Sequence, residues 1–453
     1  MFNNFNMFNM NQNNNMGFMN NIGGAPQMNI FGNKFININN KFNNMKNIEP
    51  PINGIKNYSS PVESSYANSV LQSLACLDCI KKWYYQLIGF NFNNINITQS
   101  SITKLFFNLL FNLYSGKNVD SYYIINQYYQ EVFQVFRKNP KIDSFHFLFY
   151  FLDLLHFENN YISNSSVGNF NKPDKKCMQN DSYMFNLFQM FFKSTQNSVI
   201  STYFFNILKY EFRCTNPFLK CPSLYKYQLR KIIQFDVDNY KKYRDKARPY
   251  RMGKNLNLEE CFMCFFGGYD IQCKNCGNFK AKTFSSLLYS TQVLIISFKR
   301  NYHSFKCDID FGTRINISNF CKNNMHGFTN NNYILKACIS LYNYQKYFAD
   351  IFINGNWFRF IDNNYKVLDR TKNEIYNYEP ELLIYELENT QNSTNINNFN
   401  INNGFSNNNN MMINNGFKNN FFSQINQLLY RNWLINLGKF HLMMRNLNLM
   451  KGF

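Results

Sequence analysis

Ser64-Ser65-Tyr66-Ala67-Asn68-Ser69-Val70-Leu71-Gln72-Ser73-Leu74 decides how the rest of this chain is read. Val70, Leu74 and Leu77 recur on one helix face, so the run predicts a helix that starts near Ser65. A second helical pattern follows Asp143: Phe147, Leu148, Phe151, Leu152 and Leu155 share a face, and Asp143 or Ser144 is placed to cap it. From about residue 290 the pattern changes to strands. Residues 292–298 read as a buried strand, and residues 347–353 and 357–361 flank Asn354-Gly355-Asn356, a hairpin turn signal. Helices first and sheet second predict an α+β architecture.

The opening run resembles the cysteine box of the ubiquitin-specific proteases, Asn-Thr-Cys-Tyr-x-Asn-Ser-x-x-Gln-x-Leu. Further segments are similar to that family in the family's own order. They include Gly54-Ile55-Lys56-Asn57, Ile142-Asp143-Ser144-Phe145-His146-Phe147-Leu148, Leu258-Glu259-Glu260-Cys261 and Cys273-Lys274-Asn275-Cys276. Residues 293–300, 333–337, Trp357-Phe358-Arg359-Phe360-Ile361-Asp362 and 382–385 complete the series. The resemblance covers residues 52–388. It implies a papain-like cysteine-protease fold of that family's type, with a helical thumb and an antiparallel-sheet palm and fingers. Family membership alone implies ubiquitin thiolesterase activity.

The resemblance also assigns catalytic positions, and the chain departs from the family at most of them. Ser65 stands where the family has its nucleophilic cysteine, and no cysteine lies within ten residues of it. The family's Gly-His-Tyr-x-Ala reads Gln345-Lys346-Tyr347-Phe348-Ala349, so Lys346 holds the histidine position. None of His146, His156, His303, His326 and His441 falls there. Asp362 matches the third member. Glu63 aligns with the asparagine that holds the oxyanion, and a carboxylate there repels the charge it should stabilise. A serine hydroxyl needs a strong base to become a nucleophile. Two readings stand. In one, the degenerate triad no longer hydrolyses, and an inactive pseudo-deubiquitinase acts as a binding scaffold in the ubiquitin system or in an RNA-processing assembly. In the other, the chain is an active deubiquitinase, and Ser65 with a desolvated Lys346 forms a serine–lysine dyad.

The family builds a zinc ribbon from two Cys-x-x-Cys knuckles. Cys273 and Cys276, followed by Gly277, have knuckle spacing. Cys214 and Cys221 are the partners that the resemblance suggests, although six residues separate them. Cys261 and Cys264 compete, or are small core residues. One structural zinc is therefore expected, with buried reduced thiols as the alternative.

Low acidity produces the net charge of +20, from 47 basic and 27 acidic residues. Such a field attracts nucleic acid, acidic proteins or anionic surfaces, and it is a poor match for ubiquitin's Arg-rich tail. Residues 241–254 hold seven basic residues among Tyr243 and Tyr250, a stretch suited either to RNA or to a solvated loop. Residues 1–47 and 389–420 are Asn-rich and lack any period, so they read as disordered flanks. Residues 421–446 read as an amphipathic helix through Ile425, Leu428, Leu429, Trp433 and Leu437. Residues 158–182 read as a polar loop. No membrane span is expected, since no stretch of 18 uncharged apolar residues exists. With twelve cysteines and no apolar leader, the chain is expected inside the cell, in cytoplasm or nucleus. Ubiquitin or a ubiquitin-like protein, and the other proteins of a larger assembly, are the expected partners.

Overall fold

The structure is a computed structural model. It describes residues 53–388 except 57–63, 89–100, 118, 137–140, 161–176, 196, 217, 219–220, 274, 278–280, 301–307, 322–330, 343–345 and 370–372. The expectations for residues 1–47, 389–420 and 421–446, and for Glu63, lie outside the described residues.

Nine α-helices are described: α1 Ser65–Ala75, α2 Asp78–Ile88, α3 Ile102–Tyr114, α4 Tyr122–Phe136, α5 Ser144–Glu158, α6 Asp181–Thr195, α7 Val199–Phe204, α8 Val237–Ala247 and α9 Leu258–Phe266. The strands are β1 Ile55–Lys56, β2 Val119–Asp120, β3 Asn206–Cys214, β4 Leu224–Arg230, β5 Ile232–Asp236, β6 Leu256–Asn257, β7 Tyr269–Ile271, β8 Ala281–Tyr289, β9 Val293–Lys299, β10 Ile309–Asp310, β11 Arg314–Asn316, β12 Asn332–Tyr342, β13 Lys346–Ile353, β14 Asn356–Ile361, β15 Asn364–Val367 and β16 Pro380–Leu387.

An eight-stranded sheet runs β15-β14-β13-β12-β16-β9-β5, with β11 also on β12. All its pairings are antiparallel except β5 with β9. Both faces are buried, and the alternation of side chains shows how. Leu382 and Ile384 of β16 enter one apolar cluster with α1 to α5, while Leu383 and Tyr385 enter a second with α8 and α9. Val293 and Ile295 of β9 likewise oppose Leu294 and Ile296. A strand buried on both sides reads as a continuous apolar run, which is why β9 is legible in the sequence. The hairpin between β13 and β14 turns through Asn354 (φ 47°) and Gly355 (φ 81°), the left-handed pair that a two-residue hairpin turn requires.

Every residue of α1 is buried, and the helix lies between β13 and α5. It ends at Ala75, and α2 restarts at Asp78, so Cys76 lies between the helices and Cys79 in the second. The carboxylate of Glu386 on β16 accepts from the backbone N–H groups of Asp78 and Cys79 (3.1 and 3.0 Å), fixing the start of α2 to the sheet. Asp143 caps α5 by accepting from the His146 N–H at 2.7 Å.

Two readings change. Four strands, β4-β3-β8-β7, form a separate sheet before the region expected to begin the strands. The basic run is helical: α8 continues to Ala247, and a single 3-10 turn follows at Pro249–Arg251. Within 158–182, α5 reaches Glu158, a 3-10 turn spans Cys177–Gln179, and α6 begins at Asp181. No helix among the described residues is long and apolar enough to cross a membrane.

Candidate functional site

Ser65 is the first residue of α1, follows the cap residue Ser64, and is buried. Its Oγ accepts from the main-chain N–H of Tyr347 on β13 at 3.0 Å. The landmarks after it are structural. Asn68 donates to the carbonyls of Ile55 and Lys56 (3.4 and 3.3 Å) and accepts from Ser121 Oγ at 2.6 Å. Gln72 donates to the Asn53 carbonyl at 3.2 Å. Together they pin residues 53–56 along the start of α1.

That segment in turn meets Asp362. A Cβ on Gly54 would lie 2.1 Å from the Asp362 carbonyl oxygen, so only glycine permits the approach. Asp362 itself has φ 55°, in the left-handed region, at the turn between β14 and β15. Its carboxylate lies 3.6 Å from Lys346 Nζ. The Lys346 side chain is 51% exposed and that of Asp362 is 9% exposed. The structure thus brings Ser65, Lys346 and Asp362 to one end of α1, where β13 and the β14–β15 turn meet it. Of the histidines, His146 Nδ1 pairs with Asp143 at 2.7 Å and His156 Nδ1 with Ser198 Oγ at 2.6 Å. His303, His326 and His441 lie outside the described residues.

Behind the site, Glu381 of β16 packs against Tyr347 and the N-terminus of α5. Burial, with the Asp143 carboxylate beside it, pushes the Glu381 carboxyl up to about 7. Burial also raises the Tyr347 phenol, with Glu381 adding to the effect. Asp350 of β13 and Arg359 of β14 form a bidentate, buried pair, both contacts at 2.7 Å. The Arg359 guanidinium lies against the rings of Phe348 and Tyr378, 4.5 and 4.7 Å from their centroids, and the two rings meet edge to face at 5.0 Å.

The second centre lies on the four-stranded sheet. Cys214 ends β3, Cys221 precedes β4, and Cys273 and Cys276 lie between β7 and β8. Their four sulfurs all lie within 4.8 Å of one another. Tetrahedral zinc with Zn–S near 2.3 Å places sulfurs about 3.8 Å apart, so this donor set fits one zinc ion. Gly277 (φ 70°) closes the Cys273–Cys276 turn, with its N–H on the Cys273 carbonyl at 2.8 Å. Burial works against a Cys273 thiolate, but the backbone N–H groups of Cys276 and Asn275, with the thiols of Cys214 and Cys276, outweigh it and bring the thiol down to about 7. Cys261 is a core residue of α9 instead, and neither it nor Cys264 joins the cluster.

A family model described as ubiquitin carboxyl-terminal hydrolase matches residues 53–385. The chain belongs to this family. Solved structures of similar fold include the yeast SAGA DUB module with a point mutant of Sgf73, at 17% identity and a TM-score of 0.54, over 76% of this chain and 70% of that one. The SAGA DUB module of Ubp8, Sgf11, Sus1 and Sgf73 bound to monoubiquitin matches at 16% identity and a TM-score of 0.54, over 78% and 75%. The same module bound to ubiquitin aldehyde matches at 17% and 0.52, over 76% and 71%. At these identities the likeness is one of fold. No curated protein matches the chain.

Within the ubiquitin carboxyl-terminal hydrolase fold, α1 to α5 and α7 form the thumb, the eight-stranded sheet the palm, and the β4-β3-β8-β7 sheet, with α6 packed on it, the fingers that carry the four cysteines. Sequence reading misses three parts of the site: the Tyr347 main chain, Glu381 and the Asp350–Arg359 pair. Only the last leaves a signal, opposite charges on two adjacent apolar strands.

Proposed function

We propose that this chain is an inactive ubiquitin carboxyl-terminal hydrolase, a pseudo-deubiquitinase that acts as a binding scaffold. The Lys346–Asp362 pair carries this reading. Where a hydrolase of this family needs an imidazole beside its Asp, this chain has Lys346 beside Asp362, and an ammonium group donates and cannot accept a proton. Ser65, the residue at the nucleophile position, receives a main-chain N–H from Tyr347. Glu63 at the oxyanion position is part of the same proposal. A serine–lysine dyad asks for a lysine withdrawn from water, and the Lys346 side chain is half-exposed.

The domain spans residues 52–388 in this proposal, between Asn-rich flanks and before a helix at 421–446. Its partners are ubiquitin or a ubiquitin-like protein, held weakly because the chain is basic, and the other proteins of a nuclear or cytoplasmic assembly. The fold neighbours support an assembly context, since they are subunits of a multi-protein module. RNA is a second partner class. Affinity purification of the tagged full chain, with calorimetric titration by ubiquitin, tests the scaffold role. The expected result is a defined set of co-purifying proteins. A chain that co-purifies with none and leaves ubiquitin unbound would overturn it.

A further inference from the structure

The cations of α8 and the turn after it fall into two sets. The inward set is used internally. Lys241 Nζ lies 2.7 Å from Asp308, and buried Arg244 donates to the Asn255 carbonyl at 2.8 Å and contacts Asp245 at 2.7 Å. Arg248 stands between the sets, its side chain 49% exposed and 4.0 Å from Glu260. Lys242, Lys246 and Lys254 point outward and are exposed, with no carboxylate partner among the described residues. Interleaved with them, Tyr243 is 61% and Tyr250 74% exposed. Solubility needs the charges alone. Two large rings held in water among unpaired ammonium groups suit a ligand that is both anionic and flat.

Next to Lys254 a cavity of about 520 Å³ opens, lined by Asn255, Asp310, Phe311 and Tyr376. The Phe311 and Tyr376 rings are 4.9 Å apart, and Asn255 Nδ2 donates to Asp310 at 3.0 Å. A carboxylate in that wall repels phosphate and accepts from the exocyclic amino group of a base.

We propose that Lys242, Tyr243, Lys246, Tyr250 and Lys254 bind single-stranded nucleic acid, with one base of the strand seated against Asp310 in the adjoining cavity. The lysines hold phosphates, and the tyrosines stack bases. A duplex hides its base faces, so the rings favour a single strand over a duplex. An acidic polypeptide offers the charge but a flat face only at its aromatic residues, whereas every nucleotide offers both. The site is separate from the cleft at Ser65 and stands or falls independently of the cleft's chemistry.

Fluorescence anisotropy of the full chain with labelled oligo(C), oligo(U) and duplex RNA tests it. Single strands should bind more tightly than duplex, and affinity should fall steeply with salt. Replacing Lys242, Lys246 and Lys254 with Ser should lower the log–log salt slope by about 2, at roughly 0.7 per phosphate. Tyr243→Ala with Tyr250→Ala should leave the slope unchanged and weaken binding about tenfold or more. Asp310→Asn should erase a preference for oligo(C) over oligo(U). Unchanged melting temperatures will show that the variants fold. Equal binding of duplex and single strand, or an unaffected tyrosine variant, would overturn the proposal and leave a charged surface. Equal wild-type affinity for the two homopolymers would take the cavity out of the site.

Discussion

The main-chain N–H of Tyr347 donates to the hydroxyl of Ser65 across 3.0 Å. The head of α1 is therefore tied to β13 by the strand's backbone, and the adjacent side chain, Lys346, turns to Asp362. Neither contact depends on an imidazole, so both are compatible with the proposed pseudo-deubiquitinase.

Ser65→Cys alone should therefore restore no ubiquitin cleavage. A thiol at the head of a helix still needs a proton acceptor, and Lys346 offers none. Adding Lys346→His should give slow, measurable turnover, because Asp362 is already placed to orient a ring at 346. Substantial cleavage of di-ubiquitin by the single variant would contradict the role given to position 346.

Asp350→Ala should destabilise the domain by about 3–5 kcal/mol in urea denaturation, since it leaves the buried Arg359 guanidinium without its carboxylate. Asp350→Leu with Arg359→Met, which removes both charges, should cost much less. Equal losses from the two changes would show that packing, rather than the unpaired charge, sets the cost.

Glu381 predicts a pH dependence with a definite sign. Burial raises its folded pKa from 4.5 to about 7, so the folded state holds the proton more tightly than the unfolded state. Stability contributed here is present below about 4.5 and is lost as pH rises to about 7, on the order of 3 kcal/mol. Glu381→Gln should stabilise the protein at pH 8 and flatten the fall in melting temperature across that window. A variant with the wild-type pH profile would remove Glu381 as the cause.

The purified chain should carry about one zinc, measured by elemental analysis. Cys276→Ser should lose it, and chelation should lower the melting temperature, because a structural site contributes its binding energy to folding. Full-length chain free of zinc after purification without chelators, with an unchanged melting temperature on zinc addition, would contradict the site.

Legibility follows the range of the physical signal. Ser65, Asp362 and the Cys273–Cys276 knuckle sit in local patterns, so each can be read from its neighbours in sequence. Cys214 and Cys221 depart from knuckle spacing. Their sulfurs converge because β3 and β4 pair antiparallel, which brings the end of one strand beside the approach to the other, a tertiary fact with no local trace. β4 escapes sequence reading because every residue from Leu224 to Leu229 is half-buried, which leaves no alternation to detect. α8 is obscured by charge, since Arg244 is buried with Asp245 of its own helix and with Asn255 and Glu260 outside it, and the last two leave no local trace. The Ser65–Tyr347 contact joins residues far apart in the chain, and a backbone donor leaves no residue type to recognise.

Hydrolysis of ubiquitin-rhodamine by the purified full chain tests the central claim most directly. The initial rate should equal that of the Ser65→Ala variant and of buffer. A wild-type rate clearly above buffer that Ser65→Ala abolishes would show that Ser65 is a nucleophile and that the domain is an enzyme.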